Sequence, residues 1–507
     1  MASGSFRGFP PKIPVVLLVL IVLLVSIPLL TGCPNLLNWF GDEKEEEPPP
    51  DTGGSGDNGA IPDDGSGDGG DAVDGALTGD AKTVHDALQG DLSAAGFTSA
   101  DIDAIVSGAV GAISAGGTTT DGILISAVGG AQRSLATVAA DDVEREAMLE
   151  AIVSSAVGSI GQLGGDLSAD ALGAMSVELR SRFTASDVSD RASLVAEILR
   201  ASVEHLDEAG FSAGAGTAGA TRVSLAAGTR ALRRAQIRGR DIRPTLRQVS
   251  SRTVQALGGA GVDGANAPEA VRNITAAITE NLDDANLEGI NLDRDLPQFV
   301  REVSGGATSS IGRTGITLDE ADVSALVQSI AQSTTQAVRN VTLSDSTAVA
   351  ATISAVVREV TAATTEALAE ARSNAVGVTI NISITVQAAV AGSSRGVNDL
   401  AGDANIRAAV SDFGVVVNEV ARGASEGTAR AAQVDTGFDP EALEAEITAA
   451  VAEVQDQLDQ IEAEMASLRA QIQELMDQGQ AAADNSAPVP ALTITIGSAA
   501  AQGPYDS

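Results

Sequence analysis

Aromatic residues make up only 2% of this 507-residue chain. A core without them must be built from Ala, Val, Ile and Leu, and a hydrophobic content of 44% supplies enough of these. Small side chains let helices approach toward the short end of the usual ~8–10 Å axis separation, which favours many thin helical layers over one bulky centre. Cysteine occurs once, at Cys33, which excludes an internal disulfide and a cysteine-based zinc site. The two histidines, His85 and His205, leave little for a histidine metal centre, so neither a metal nor a cofactor is expected. Only Lys12, Lys44 and Lys82 are lysines; arginine supplies the other positive charges. Acids outnumber bases 68 to 31, for a net charge of −37. A surface of that sign repels nucleic acid, and the shortage of aromatic stacking platforms counts against it further.

What is present begins with a leader. Arg7 and Lys12 precede an uncharged stretch from Ile13 to Leu30, followed by small residues. This is the layout of a secretory signal. The ending Leu30-Thr31-Gly32-Cys33 resembles the lipobox of bacterial lipoprotein precursors. The resemblance implies that residues 1–32 are a signal peptide, cut between Gly32 and Cys33, and that Cys33 receives a diacylglyceryl thioether. Each buried methylene of such an anchor contributes about 0.8 kcal/mol, so two or three acyl chains hold firmly. Pro34, where Asp would signal inner-membrane retention, leans toward the outer membrane if the organism has one. The rival reading is an uncleaved single-pass signal anchor, since the apolar run lies at the lower limit for a span. Either way the remainder lies outside the cytoplasm.

Residues 33–78 read as the acylated N-terminus and an acidic linker. Within it, 41–75 hold little but acids, Gly, Pro and Ser, the composition of a solvated tether. Asp64, Ser66, Asp68 and Gly69 imitate the start of an EF-hand loop, but the twelfth position is Gly75 instead of the required Glu.

A helical repeat domain is predicted over 79–437. Ile102, Ile105, Val106, Ala109, Val110 and Ile113 recur on one helical face, with Thr98 and Asp101 as a capping box at its start. The word AIVSGAVGAI (104–113) returns 47 residues later as AIVSSAVGSI (151–160), eight of ten positions being identical. A period near 46 holds two helices and a turn, as in helical-hairpin repeats. The predicted class is therefore mainly α, an α-solenoid-like stack or an irregular bundle. Further helices are predicted at roughly 121–138, 188–209, 222–236, 242–257, 268–283, 317–341 and 346–372. Two stretches alternate with period two, VTINISITV (378–386) and LTITI (492–496), and predict two short strands.

A coiled coil is predicted over 438–479, ahead of a flexible tail at 480–507. Asp439 is placed as an N-cap and Pro440 in the first turn. Ile447, Val451, Val454, Leu458, Ile461, Met465, Leu468, Ile472 and Leu475 then follow at spacings of four and three, the pattern of a coiled-coil seam. A second copy of the chain, or a helix of the same chain, could face it.

Candidate chemistry is sparse. Three matches to G-x-S-x-G, at Gly210–Gly214, Gly392–Gly396 and Gly423–Gly427, lack the later histidine that a nucleophile elbow requires. Matches to G-x-G-x-x-G at Gly214 and Gly259 follow no strand and read as turns between helices. The one charge anomaly is 222–252, where Arg222, Arg230, Arg233, Arg234, Arg238, Arg240, Arg243, Arg247 and Arg252 share the span with a single acid, Asp241. Seven of these, Arg230 to Arg247, form a candidate anion-binding patch, because guanidinium forks suit phosphate and carboxylate groups. Internal pairing with acidic neighbours is the competing reading. Together these features predict a lipid-anchored envelope protein that is not an enzyme and acts as a structural or protein-interaction scaffold. The alternatives are a binding protein for a small molecule or glycan and, behind it, a carboxylate-based hydrolase.

Overall fold

The computed structural model describes residues 80–116, 120–161, 177–212, 214–343 and 348–452, with isolated positions as far as 474. The chain divides into two units, Met1–Gly67 and Asp68–Ser507, and every described residue lies in the second. That unit is mainly α. Its helices are α1 (Asp80–Ala94), α2 (Ser99–Gly116), α3 (Thr120–Val138), α4 (Asp142–Ser159), α5 (Val177–Glu204), α6 (Ala215–Ala231) and α7 (Ile242–Ala256). They continue with α8 (Ala267–Glu280), α9 (Leu292–Ser309), α10 (Glu320–Ala337), α11 (Val349–Asn374), α12 (Ile382–Gly402), the short α13 (Ala404–Ala409) and α14 (Phe413–Ala431). A further helix covers 440–452.

Acidic and amide side chains start many of these helices. Asp141, Asn291, Asp319, Asn381, Asp403 and Asp412 each accept a backbone N–H in the first turn that follows, satisfying donors that the helix itself leaves open. At the start of α2 the Thr98 hydroxyl accepts from the Asp101 N–H, the first half of the predicted capping box, but the Asp101 carboxylate accepts from that hydroxyl instead of from the Thr98 backbone N–H. Asp439 accepts from Glu441 and Ala442 at the start of 440–452. Part of the acid excess thus sits where the positive end of a helix dipole favours it.

From α3 onward, consecutive helices alternate between two layers. The first layer stacks α3, α5, α7, α9, α11 and α14; the second stacks α4, α6, α8, α10 and α12. At the N-terminal end the order is inverted: α2 joins the first layer beside α3, and α1 joins the second beside α4. The helix at 440–452 adds to the second layer, since its Glu446 accepts from Ser383 and Gln387 of α12. This is the expected stack of helical hairpins, but its step is longer than the sequence word suggests. Contacts between successive helices of a layer join residues more than 50 apart, by an interval that varies along the stack: 58 in Thr275–Ser333, 59 in Arg243–Glu302, 67 in Gln332–Asp399 and 70 in Gln132–Ser202. The two matching decapeptides lie on α2 and α4, in different layers, so their 47-residue interval is not the stacking period.

The layers close on very small residues. Gly392 and Gly396 of α12 lie against the Gln328 and Gln332 carbonyls of α10, and Gly423 and Gly427 of α14 against the Arg358 and Ala362 carbonyls of α11. A Cβ at Gly396 would stand 2.6 Å from the Thr335 Cβ, closer than packed atoms allow. Two of the three G-x-S-x-G matches are therefore packing surfaces, with glycines one helical turn apart. Buried hydroxyls return to their own helices: Thr253, Thr334 and Thr361 donate to carbonyls four residues back at 2.7–2.8 Å. That satisfies the buried hydroxyls without a partner helix. Hydroxyls also bridge helices, as between Thr361 and Ser393 at 2.8 Å and between Ser202 and Ser224 at 3.0 Å.

Two expectations are corrected. The stretch 378–386 is not a strand; Asn381 caps α12, which runs from Ile382 through the rest of the segment. Once the helix forms, Val386 is fully buried and Ile384 is left 39% exposed, so tertiary burial overrides the local alternation. No strand is present among the described residues, and 492–496 lie outside them. Second, the set of predicted helices is incomplete: α9 runs through 292–309, which are not among them and contain Pro297. Proline has no N–H to give the Asp293 carbonyl. The Thr352 hydroxyl of α11 donates to that carbonyl instead, at 2.9 Å.

The glycine packing makes a paired prediction. Gly396→Ala forces α10 and α12 apart and should destabilise the protein by about 1–3 kcal/mol. Gly111→Ala, where a Cβ meets nothing within 4 Å, should instead stabilise α2 by about 0.5–1 kcal/mol. Thermal unfolding followed by circular dichroism reads both signs.

Candidate functional site

The arginine-rich span 222–252 does not form one surface. It runs along α6, through a turn and a short 3₁₀ helix (Gly239–Asp241), and along α7, so its side chains divide between the two layers. Arg222 pairs with Glu280 at 2.5 Å, Arg238 with Glu288 at 3.3 Å, and Arg252 with Glu197. Arg243 and Arg247 converge on Glu302, and Arg247 also reaches Glu370 at 2.9 Å. Arg240 is exposed and has no ion pair among the described residues. Most partners lie 55–59 residues away in sequence, one step along the stack. A search for Arg and Glu recurring at that interval would have found them; the local composition of 222–252 could not.

Farther along the first layer, such pairs close into a ring. Arg301 of α9 meets Glu359 at 2.7 Å, Glu359 meets Arg358 at 3.7 Å, and Arg358 reaches Glu419 of α14 at 3.9 Å. Glu419 leads to Arg422, Glu426 and Arg430 along α14. Arg430 then returns to Glu366 of α11 at 3.4 Å, which bonds Arg301 again. Four arginines and four glutamates alternate around three helices. Burial works against the Arg301 charge, but the bonds and charges of Glu359 and Glu366 outweigh it and raise its pKa above the ordinary arginine value.

Arg230, Arg233 and Arg234 are the members of the span that the fold does bring together. They rim a groove of about 640 Å³ on the second layer, between α1, α4, the end of α6 and the turn after α8. Arg230 pairs with Glu150 at 3.1 Å and Arg234 with Asp91 at 3.2 Å. Arg234 also donates to the Ser154 hydroxyl and carbonyl at 2.5 Å. Arg233 is exposed and makes no ion pair with a described residue. Ala95, Ala147, Ala151, Ala231, Ala285 and Phe97 supply its apolar lining. Such a site can hold an oxyanion against apolar surface. A smaller groove of about 260 Å³ on the first layer is lined by Arg247 and Arg301, both already engaged.

The remaining candidates are structural or lie outside the described residues. His205 is 3.4 Å from Glu208, which also takes an Arg133 bond. Burial raises the Glu208 carboxyl, but Arg133 and His205 together hold it below the usual carboxylate value. His85 is buried, 3.0 Å from Asp86. Gly210 and Gly214 carry positive φ in the turn between α5 and α6, whereas Gly216 and Gly219 lie inside α6. No three His, Cys, Asp or Glu side chains are grouped as a metal site needs, among the described residues. Nor is any helix among them long and apolar enough to cross a membrane. Ile447 and Val451 of the predicted seam are buried at 2% and 8% in the core of this same chain, with Leu443 beside them. Val454, Leu458, Ile461, Met465, Leu468, Ile472 and Leu475, the lipobox residues Leu30 to Cys33, and the linker acids lie outside the described residues. The chain matches no protein-family model and finds no significant match among curated proteins.

The ring carries a prediction. Arg301 and Glu359 are only 20% and 11% exposed in their side chains, whereas Arg422 is 59% exposed. Arg301→Gln should cost about 2 kcal/mol, between the range for exposed pairs and that for buried ones, and Arg422→Gln less than about 1 kcal/mol. Denaturant unfolding in high salt should erase the Arg422 effect and leave most of the Arg301 effect, because screening acts on the exposed pair.

Proposed function

We propose that this chain is a lipid-anchored protein of a bacterial envelope, held outside the cytoplasm through Cys33 and acting as a non-catalytic scaffold. The observation that carries the reading is where the reactive-looking groups go. Glycines of the G-x-S-x-G motifs press helices together, most arginines of 222–252 tie one helix to the next, and His205 is bound to Glu208. A chain whose polar side chains serve its own stacking offers surface and reach rather than a reaction centre. The lipobox resemblance supplies the anchor, the acidic linker supplies the distance from the membrane, and the two layers supply the surface. Pro34 favours the outer membrane where one exists, with an inner-membrane signal anchor as the alternative. The heptads beyond Val451 supply a site for pairing with a second copy, the partner read from the seam. Nucleic acid is disfavoured by the charge of −37.

A second reading, a binding protein for a small molecule, has one specific observation in its favour: the groove rimmed by Arg230, Arg233 and Arg234.

The anchor is tested by labelling cells with a tagged fatty acid. The wild-type chain should take up label and sediment with membranes, and Cys33→Ser should lose the label and become soluble after export. Membrane retention of the unlabelled variant would replace the lipid anchor by a spanning one.

A further inference from the structure

We propose that the second-layer groove binds a small molecule that carries a carboxylate or phosphate on an apolar body; this rests on the second reading above and leaves the scaffold reading untouched. Three features of the groove lead there. Its volume of about 640 Å³ falls within the ~300–1,000 Å³ of small-molecule sites. Its lining includes Phe97 and alanines from α4, α6 and the turns that follow α1 and α8, a surface that receives an apolar body. Its rim presents three guanidiniums, of which Arg233 is left without a carboxylate among the described residues although acids outnumber bases 68 to 31 in the chain.

The pairs at the rim are replaceable. Arg230–Glu150 and Arg234–Asp91 are single ion pairs with side chains 35–48% exposed. Such pairs contribute only about 0–1 kcal/mol, so a ligand oxyanion that engages several forks can displace Glu150 or Asp91. The first-layer groove differs in this respect. Its Arg301 holds two carboxylates at once and is 20% exposed, and a ligand there would have to break the ring. The size of the ligand also follows from charge. Asp284 stands in the lining of the groove, and the chain as a whole carries −37. Both repel a polyanion, whereas a small monoanion or dianion can take the unpaired Arg233 and compete with Glu150 or Asp91 for the other two forks.

The test is calorimetric titration of the exported chain with phenyl phosphate, benzoate, inorganic phosphate and phenol at low salt. Phenyl phosphate or benzoate should bind at one site, whichever is tighter identifying the headgroup, with inorganic phosphate weaker and phenol silent. Arg233→Gln should weaken the bound oxyanion by roughly tenfold, the loss of one charge-assisted bidentate contact, with an unchanged thermal melt. Arg240→Gln, also exposed and unpaired among the described residues but outside the groove, should leave the affinity as it is. Absence of binding by both aromatic oxyanions at millimolar concentration would overturn the proposal. So would equal losses from Arg233→Gln and Arg240→Gln, which would mean diffuse charge attraction. Either result leaves membrane labelling through Cys33 unaffected, so the two readings fail separately.

Discussion

The stack rests on helices that nearly touch backbone to backbone. Gly396 on α12 and Gly427 on α14 each occupy a place where a single added carbon would meet a neighbour's carbonyl or Thr Cβ. With 2% aromatic residues there are no large side chains to fill wider gaps, so stability must come from close packing of small ones. The fully buried residues agree: they are dominated by Ala, Val, Leu and Ile, with Phe299 the largest. The buried hydroxyls of Thr253, Thr334 and Thr361 fit the same constraint, because they bond within their own helix and need no room.

Close packing brings the outer edges of neighbouring helices within reach of long side chains, and electrostatics follows from that geometry. Arginine is used almost to the exclusion of lysine, and its fork can bond two acids at once. Arg301 does so with Glu359 and Glu366 of α11, and Arg247 bridges Glu302 of α9 and Glu370 of α11. Other acids cap helices, as Asp319 and Asp322 do reciprocally at α10. The excess of negative charge is therefore partly organised into the fold and partly a solvated surface.

Local signals were legible in the sequence, and periodic ones over longer distances were not. The Ile102–Ile113 face, the Thr98 cap on the Asp101 N–H and the Asp439 cap depend on residues a turn apart, and the structure places them as read. The Pro297 helix was missed because its compensating donor, Thr352, lies 59 residues from the Asp293 carbonyl. Alternation at 378–386 misled because the faces of α12 are set by α10 and α11, not by its own pattern. The AIVS word suggested the wrong interval, since it marks two helices of like composition in different layers. Among the candidate site residues, a cluster of arginines was visible. Its division into helix ties and one three-arginine groove required knowing which distant residues the stacking brings together, 58 apart in Arg222–Glu280 and 143 apart in Arg234–Asp91.

A scaffold reading depends on this arrangement, because layers of helices packed each on the next present their surface as a unit. That packing can be measured chemically. Cys33 is the only native thiol, so a Cys33→Ser chain is free of background. Thr275 and Ser333, 58 residues apart on α8 and α10, have their hydroxyl oxygens 2.5 Å from each other. In the double variant Thr275→Cys, Ser333→Cys, mild oxidation should form an intramolecular disulfide rapidly and nearly completely, seen as a faster band on non-reducing gels. Two free thiols after oxidation of the folded chain would contradict the stacking of α8 on α10, and with it the close helical packing on which the layers depend.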